Sequence, residues 1–189
     1  ASIAQNDGDK VALNASGFQQ DAGIYSAAYR LLSMGMLPLA AFTNSTHFAV
    51  LRSARETSDQ VAKARRFTMI GAIYAVPVAA GFFIAAPLAP KLLGSQFEGT
   101  ATVLRWLAPL FALRGMMVFP LNGLLGLGRG RLRAGVLIGS AALSVVLYIV
   151  LIPRYSWKGA AVASMISDAT LFCACWTSLI LCQRNQHGM

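Results

Sequence analysis

The sequence predicts an all-α integral membrane protein, a bundle of several membrane-spanning helices, and three observations carry that reading. Hydrophobic residues fill 56% of the 189 positions and charged residues only 12%, about half the charged fraction of a soluble domain. Five apolar runs are each long enough to cross a bilayer core, which takes about 20 helical residues at a rise of about 1.5 Å. The net charge of +9 comes mostly from short segments between those runs. That is the positive-inside pattern rather than a nucleic-acid-binding face.

The elements follow in order. Residues 1–22 are polar around Asp7, Asp9 and Lys10 and do not span alone. They read as the tail of a truncated helix followed by an outer loop. With neither an initiator Met nor a signal peptide at its start, the chain is expected to be a fragment. The first span covers about 24–51 and carries Arg30 within GIYSAAYRLLSMGMLPLAAFTNSTHFAVL. The segment 52–66, RSARETSDQVAKARR, is a polar helical linker with Arg52/Glu56, Arg55/Asp59 and Asp59/Lys63 at i,i+4. Its five Lys and Arg residues mark it as cytoplasmic.

The second span, about 67–89, contains Pro77, and the loop Pro90 to Gly99 holds only Lys91 as a cation and so lies outside. The third span, about 101–124, contains Arg105, Pro109, Arg114 and Pro120. GLGRG at 126–130 then reads as a tight turn on the cytoplasmic side, with Arg129, Arg131 and Arg133; no strand precedes it, as a nucleotide-binding glycine loop would require. The fourth span, about 133–152, stops at Pro153, and RYSWK forms a short outer loop. The fifth span, about 159–182, leads to a cytoplasmic C-terminus. Tyr25, Tyr29, Trp106, Tyr155 and Trp157 all fall at the outer interface in this topology, where amphipathic rings sit well.

The candidate site residues are polar groups inside these spans. At 100° per residue Arg30, Ser33, Leu37, Ala40, Asn44 and His47 share one helix face. That stripe is either the wall of a hydrated cavity or a snorkelling arginine with two residues reaching the opposite headgroups. Arg114 lies near the centre of its span, where a lipid-facing arginine costs about 2.5–3.5 kcal/mol even on insertion scales, so it is expected to face the interior. It serves there in substrate binding or in a structural pair. Asp168, on a face with Ala160 and Ser164, is the partner for such a pair or a group for proton or cation coupling. Beside it Gly159, Ala163 and Ser167 form a small-residue ridge that permits close helix approach. Cys173, Cys175 and Cys182 show no metal-ligand spacing and read as core thiols. Nothing combines a nucleophile with a base or cradles a phosphate, so no enzymatic activity and no cofactor are expected.

Several stretches resemble the polysaccharide transporter family, the O-antigen and exopolysaccharide flippases of the superfamily that also holds the multidrug extrusion transporters and the lipid II flippases. They are GIYSAAYR at 23–30, Ala86-Pro87-Leu88-Ala89-Pro90 followed by LLGSQFEGTATVLRWLAP, LLGLGRGRLR at 124–133, Leu151-Ile152-Pro153, and Gly159-Ala160-Ala161-Val162-Ala163. Asp9-Lys10 is similar to an acid–base pair in that family's seventh helix. The resemblance implies a twelve-helix parent in two six-helix lobes, this chain being the second lobe from partway through helix seven. It further implies a bacterial inner-membrane location and, as substrate, an undecaprenyl-pyrophosphate-linked oligosaccharide. Arg30 and Arg114, with Asn44 and His47, would meet that substrate in a cationic cavity worked by alternating access. The implied partners are membrane lipids, the first lobe of the same protein, and the polysaccharide polymerase and chain-length machinery, with no nucleic acid. Two other readings remain open at this point: a cation- or proton-coupled multidrug exporter of the same superfamily, and a non-transporting scaffold of a polysaccharide assembly complex.

Overall fold

A computed structural model describes residues 2–53, 60–94 and 99–187, with side chains described except at 2–7, 42–53, 60, 63, 92–93 and 183–187. Among the described residues the chain is helical throughout, with no strand. The helices are α1 (Ser2–Ala15), α2 (Gln19–Ser53), α3 (Gln60–Ala85), α4 (Ala89–Leu93), α5 (Thr100–Gly126) and α6 (Gly130–His187), with a 3₁₀ turn at Ala86–Leu88 between α3 and α4. Three helical stretches are long and apolar enough to cross a membrane: Ala64–Lys91, Thr100–Gly126 and Gly130–Cys182. The protein is therefore an all-α chain of membrane-embedded character.

Gly-closed turns join two of the helix pairs. Gly17 (φ 84°) and Gly128 (φ 69°) each sit just past a helix end in the left-handed region. Phe18 N–H donates to Leu13 O and Arg129 N–H to Leu124 O, completing the 6→1 bond of a Schellman cap at both ends. The GLGRG segment is thus a tight turn between α5 and α6.

The longest helix is two arms. At 58 residues a straight α6 would run about 87 Å. Instead Ser156 leaves helical geometry (φ 50°, ψ −132°) and the chain turns back. Ser140 Oγ donates to Ser167 O at 3.3 Å, and Tyr148 OH and Ser164 Oγ lie 2.9 Å apart. A straight helix would hold the first of those pairs about 40 Å apart. The arms meet along buried Ser140, Ser144, Tyr148 and Ile152 on one side and Gly159, Ala163, Ser164 and Ser167 on the other. A Cβ on Gly159 would collide with the Leu151 carbonyl, so the small-residue ridge is what brings the arms together. The expected RYSWK loop is absent: Pro153 and its neighbours stay helical, and the reversal is confined to Ser156. Ser156 Oγ donates to Asp21 Oδ2, pinning the reversal to the first turn of α2.

Other boundaries shift as well. Pro90, expected in a loop, lies in α4. The linker 52–66 is helical at both described ends, with 54–59 outside the described residues. At 35 residues α2 is about 52 Å long, yet it is not one of the three stretches apolar enough to cross a membrane among the described residues. Its buried side carries Ala22, Tyr25, Ala28, Leu32 and Leu39, while Arg30 is exposed.

α3 and α5 pack closely. A Cβ on Gly71 would strike the Phe119 ring, and one on Gly115 would lie 2.7 Å from Ala75 Cβ and 3.1 Å from Leu39 Cδ2. In lipid no hydrophobic driving force separates helix from tail, so close approach at small residues decides which helices associate. Ile73, Ile84 and Ile149 point away from the protein, as lipid-facing side chains would.

Gly115→Val should therefore lower stability by about 1–3 kcal/mol through overpacking. Gly139→Ala, where a Cβ meets nothing within 4 Å, should be neutral or raise it. Thermal unfolding of the detergent-purified variants measures both, and equal melting temperatures would contradict this account of the α3–α5 contact.

Candidate functional site: a cationic cavity beside two buried carboxylates

The site begins with Asp9, which α1 carries into the bundle. α1 lies against the first arm of α6 at Gly8, where a Cβ would sit 3.6 Å from Tyr148 Cε2. This close approach leaves Asp9 fully buried. Tyr25 OH donates to Asp9 Oδ2 at 2.8 Å, and the Lys10 backbone N–H donates to Asp9 Oδ1 at 2.8 Å. Both carboxylate oxygens are thus partnered, as a buried acid requires.

Tyr25 and Tyr29 sit one turn apart on α2 with stacked rings, centroids 6.2 Å apart. Lys10 Nζ lies 4.1 Å from the Tyr29 ring centre and Arg114 Cζ 5.4 Å from it. Both cations fall within range of the electron-rich ring faces. The Tyr29 hydroxyl is buried with no hydrogen-bond partner. The expected place of these two tyrosines at the outer interface is therefore corrected: Tyr25 is 0% exposed and Tyr29 half-buried against charged groups. Trp106 and Trp157 instead pair edge-to-face at 6.4 Å, and Tyr155 is exposed.

α5 brings Arg114 to this cluster from the other side. Its Nε lies 2.6 Å from Asp168 Oδ2 on the second arm of α6, the side chains being 14% and 2% exposed. Only Nε of this guanidinium is engaged among the described residues, and its terminal nitrogens are not among the buried unpartnered atoms. Arg114 also helps line a cavity of about 390 Å³. Asp168 thus holds Arg114 through Nε, and no bond to its two terminal nitrogens is present among the described residues.

That cavity is bounded by α1, α2 and α5. Lys10, Arg30 and Arg114 bring three cations to it, with Tyr29 and Ser33 beside them. The rest of the wall is apolar, from Leu32 and Met36 on α2 and from Leu107, Leu110 and Phe111 on α5. Arg30 is exposed and pairs with no acid among the described residues. Ser33 Oγ is turned back onto Arg30 O at 2.7 Å. Such a cavity is suited to an amphipathic anion whose charge meets the cations and whose hydrocarbon meets the leucines.

Arg30, Arg114 and Asp168 therefore converge on one region. Asn44 and His47 belong to α2, but their side chains lie outside the described residues. Lys10, Tyr25 and Tyr29 were not picked out as site residues by sequence reasoning. The signal was available in Asp9-Lys10 next to an apolar stretch and in tyrosines spaced i,i+4 before Arg30. Cys173 is exposed, Cys175 buried and Cys182 half-buried, all as free thiols.

Comparisons with protein-family models, with curated proteins and with solved structures give no match.

The ion pair makes a stability prediction. Asp168→Ala leaves the Arg114 charge largely buried and unpaired, which should cost about 3–5 kcal/mol. Replacing both partners, Arg114→Met with Asp168→Leu, should restore much of that loss. A double-mutant cycle on thermal unfolding reads the coupling; independent, additive effects would show that the pair does not hold α5 to α6.

Proposed function

We propose that this chain is the second six-helix lobe of a flippase that moves an undecaprenyl-pyrophosphate-linked oligosaccharide across the bacterial inner membrane. The observation that carries the proposal is the cavity in which Lys10, Arg30 and Arg114 face an apolar wall. A polyprenyl pyrophosphate has those two halves, a multiply charged anion and a hydrocarbon tail. The arginine fork pairs two phosphate oxygens at once and keeps its charge at any physiological pH. The leucine and phenylalanine wall accepts the first isoprene units. In this reading α1, α2, α3, α5 and the two arms of α6 are the segments of the lobe, α1 being the end of a helix.

In this reading the cavity is completed by the first lobe, and the lobes rock about the site so that it opens to one leaflet and then the other. Proline-containing helices around it, with Pro38 in α2, Pro77 in α3 and Pro109 and Pro120 in α5, are suited to such bending. The C-terminus and the arginine-rich turn then lie in the cytoplasm. The multidrug-exporter reading draws on the two buried carboxylates, Asp9 and Asp168. It is second because Tyr25 and Arg114 already occupy them, which leaves cations, not acids, facing the cavity.

Farnesyl pyrophosphate, a short relative of the lipid anchor, is the probe for titration calorimetry on the purified chain. Arg30→Gln should weaken its binding about tenfold, the scale of one lost charge-assisted contact, and leave thermal stability unchanged because Arg30 is exposed. Farnesol should bind poorly to both forms. Equal affinity for the alcohol and the pyrophosphate would remove the case for a cationic lipid-anion site. In the complete flippase, the same substitution should reduce surface polysaccharide at normal protein abundance, whereas a scaffold would be indifferent to it.

A further inference from the structure

A second basic feature lies at the end of the bundle where α3 begins, α5 ends and α6 both begins and finishes. Ala64 of α3, Leu124 of α5 and Leu179 of α6 are buried in one apolar cluster with Leu127, Val136 and Trp176 packed against it. A Cβ on Gly123 would sit 3.1 Å from Leu179 Cδ1 and 3.5 Å from Ala64 Cβ, so the three helices meet closely here. This arrangement gathers Arg65 and Arg66 at the end that also holds the turn with Arg129, Arg131 and Arg133.

Among the described residues these arginines have no acidic partner. Arg65 and Arg66 are exposed, and Arg133 Nε is buried with no hydrogen-bond partner. The carboxylates whose side chains are described are committed elsewhere: Asp9 to Tyr25, Asp21 to Ser156 and Asp168 to Arg114. Arg65 and Arg66 also border a groove of about 570 Å³, whose wall continues one turn on as Met69 and Ile70. Both of those apolar side chains are exposed.

We propose that this groove binds an anionic phospholipid from the surrounding bilayer, with the phosphodiester on Arg65 and Arg66 and an acyl chain along Met69 and Ile70. The order of residues on the helix matches the order of groups in a lipid. The arginines stand at the start of the apolar stretch Ala64–Lys91, at headgroup level, and the apolar pair follows one turn deeper. A nucleic acid or a soluble phosphate would use the arginines and leave the apolar wall idle. Basic clusters at the end of a membrane helix attract anionic lipid, and the groove adds a fixed place for one molecule. The site is separate from the cavity of Lys10, Arg30 and Arg114, and the inference stands whether or not that cavity carries a pyrophosphate.

Trp176 reports on this end. In a Trp106→Phe/Trp157→Phe background it is the sole tryptophan, and its quenching by dibrominated phosphatidylglycerol is compared with that by dibrominated phosphatidylcholine. The anionic lipid should be preferred about fivefold in the otherwise native chain. Arg65→Gln/Arg66→Gln should bring the ratio to about one, while Arg105→Gln, on α5 beside the Trp106–Trp157 pair, should leave it unchanged. As a second readout on the unaltered tryptophans, the native chain extracted from mixed vesicles should retain phosphatidylglycerol in excess, and the double variant should not. Equal quenching by the two lipids would overturn the proposal, as would an undiminished preference in the double variant. Loss of the preference on adding millimolar inorganic phosphate at constant ionic strength would mark a simple anion site and overturn the assignment to lipid.

Discussion

The contact between Arg114 and Asp168 is the constraint on which the bundle turns. Each group would be costly alone at that depth, and together they bind α5 to the second arm of α6 at one register. A leucine contact slides by a residue at small cost; an ion pair of 2.6 Å does not. Once this register is set, Asp168 stands beside Ser164 and Ser167 on the arm that faces Tyr148, and the interior of the hairpin is decided with it. Helix association elsewhere relies on absence of bulk, as at Gly71 and Gly115, because lipid offers apolar side chains as good a home as protein does.

The electrostatic layout of the cavity follows from the same economy of charge. Asp168 supports Arg114 from behind, Asp9 lies behind Lys10, and the Tyr29 ring stands between the two cations. Two acids and two bases thus form a nearly neutral layer, and Arg30 is the additional charge at the cavity edge. An anion entering the cavity meets one cation without an acid to compete for it and two whose positions are fixed by aromatic and carboxylate neighbours. Such preorganisation lowers the reorganisation needed on binding.

The helical, membrane-embedded character was plain in the sequence because apolar runs of that length have few other uses. Arg114 could be placed inside because its neighbours at helical spacing are all apolar. The interfacial place expected for Tyr25 and Tyr29 differs from their buried one for an equally physical reason. Amphipathic rings near a helix end suit a headgroup interface, and nothing on α2 itself reveals that Asp9 and Lys10 of α1 supply a polar environment in the interior. The pairing spans 16 residues and two helices, beyond the reach of periodicity. The polarity of RYSWK and its nearby proline predict a loop. In the structure Pro153 is retained within the helix, and one residue in an unusual conformation achieves the reversal. The arginines at the far end are legible in the sequence only as charge, since their gathering depends on how α3, α5 and α6 meet around Ala64, Leu124 and Leu179.

The single-residue reversal at Ser156 has a consequence for how the protein is made. With no loop between them, the two arms of α6 have no slack to enter a bilayer one after the other as separate segments. They must partition as a helical hairpin, a unit whose two open ends emerge on the same side. The arginines at 129–133 and the basic tail around Arg184 therefore act jointly on its orientation during synthesis. Loss of positive charge at one end alone would be offset by the other, which makes the orientation of this hairpin resistant to single substitutions.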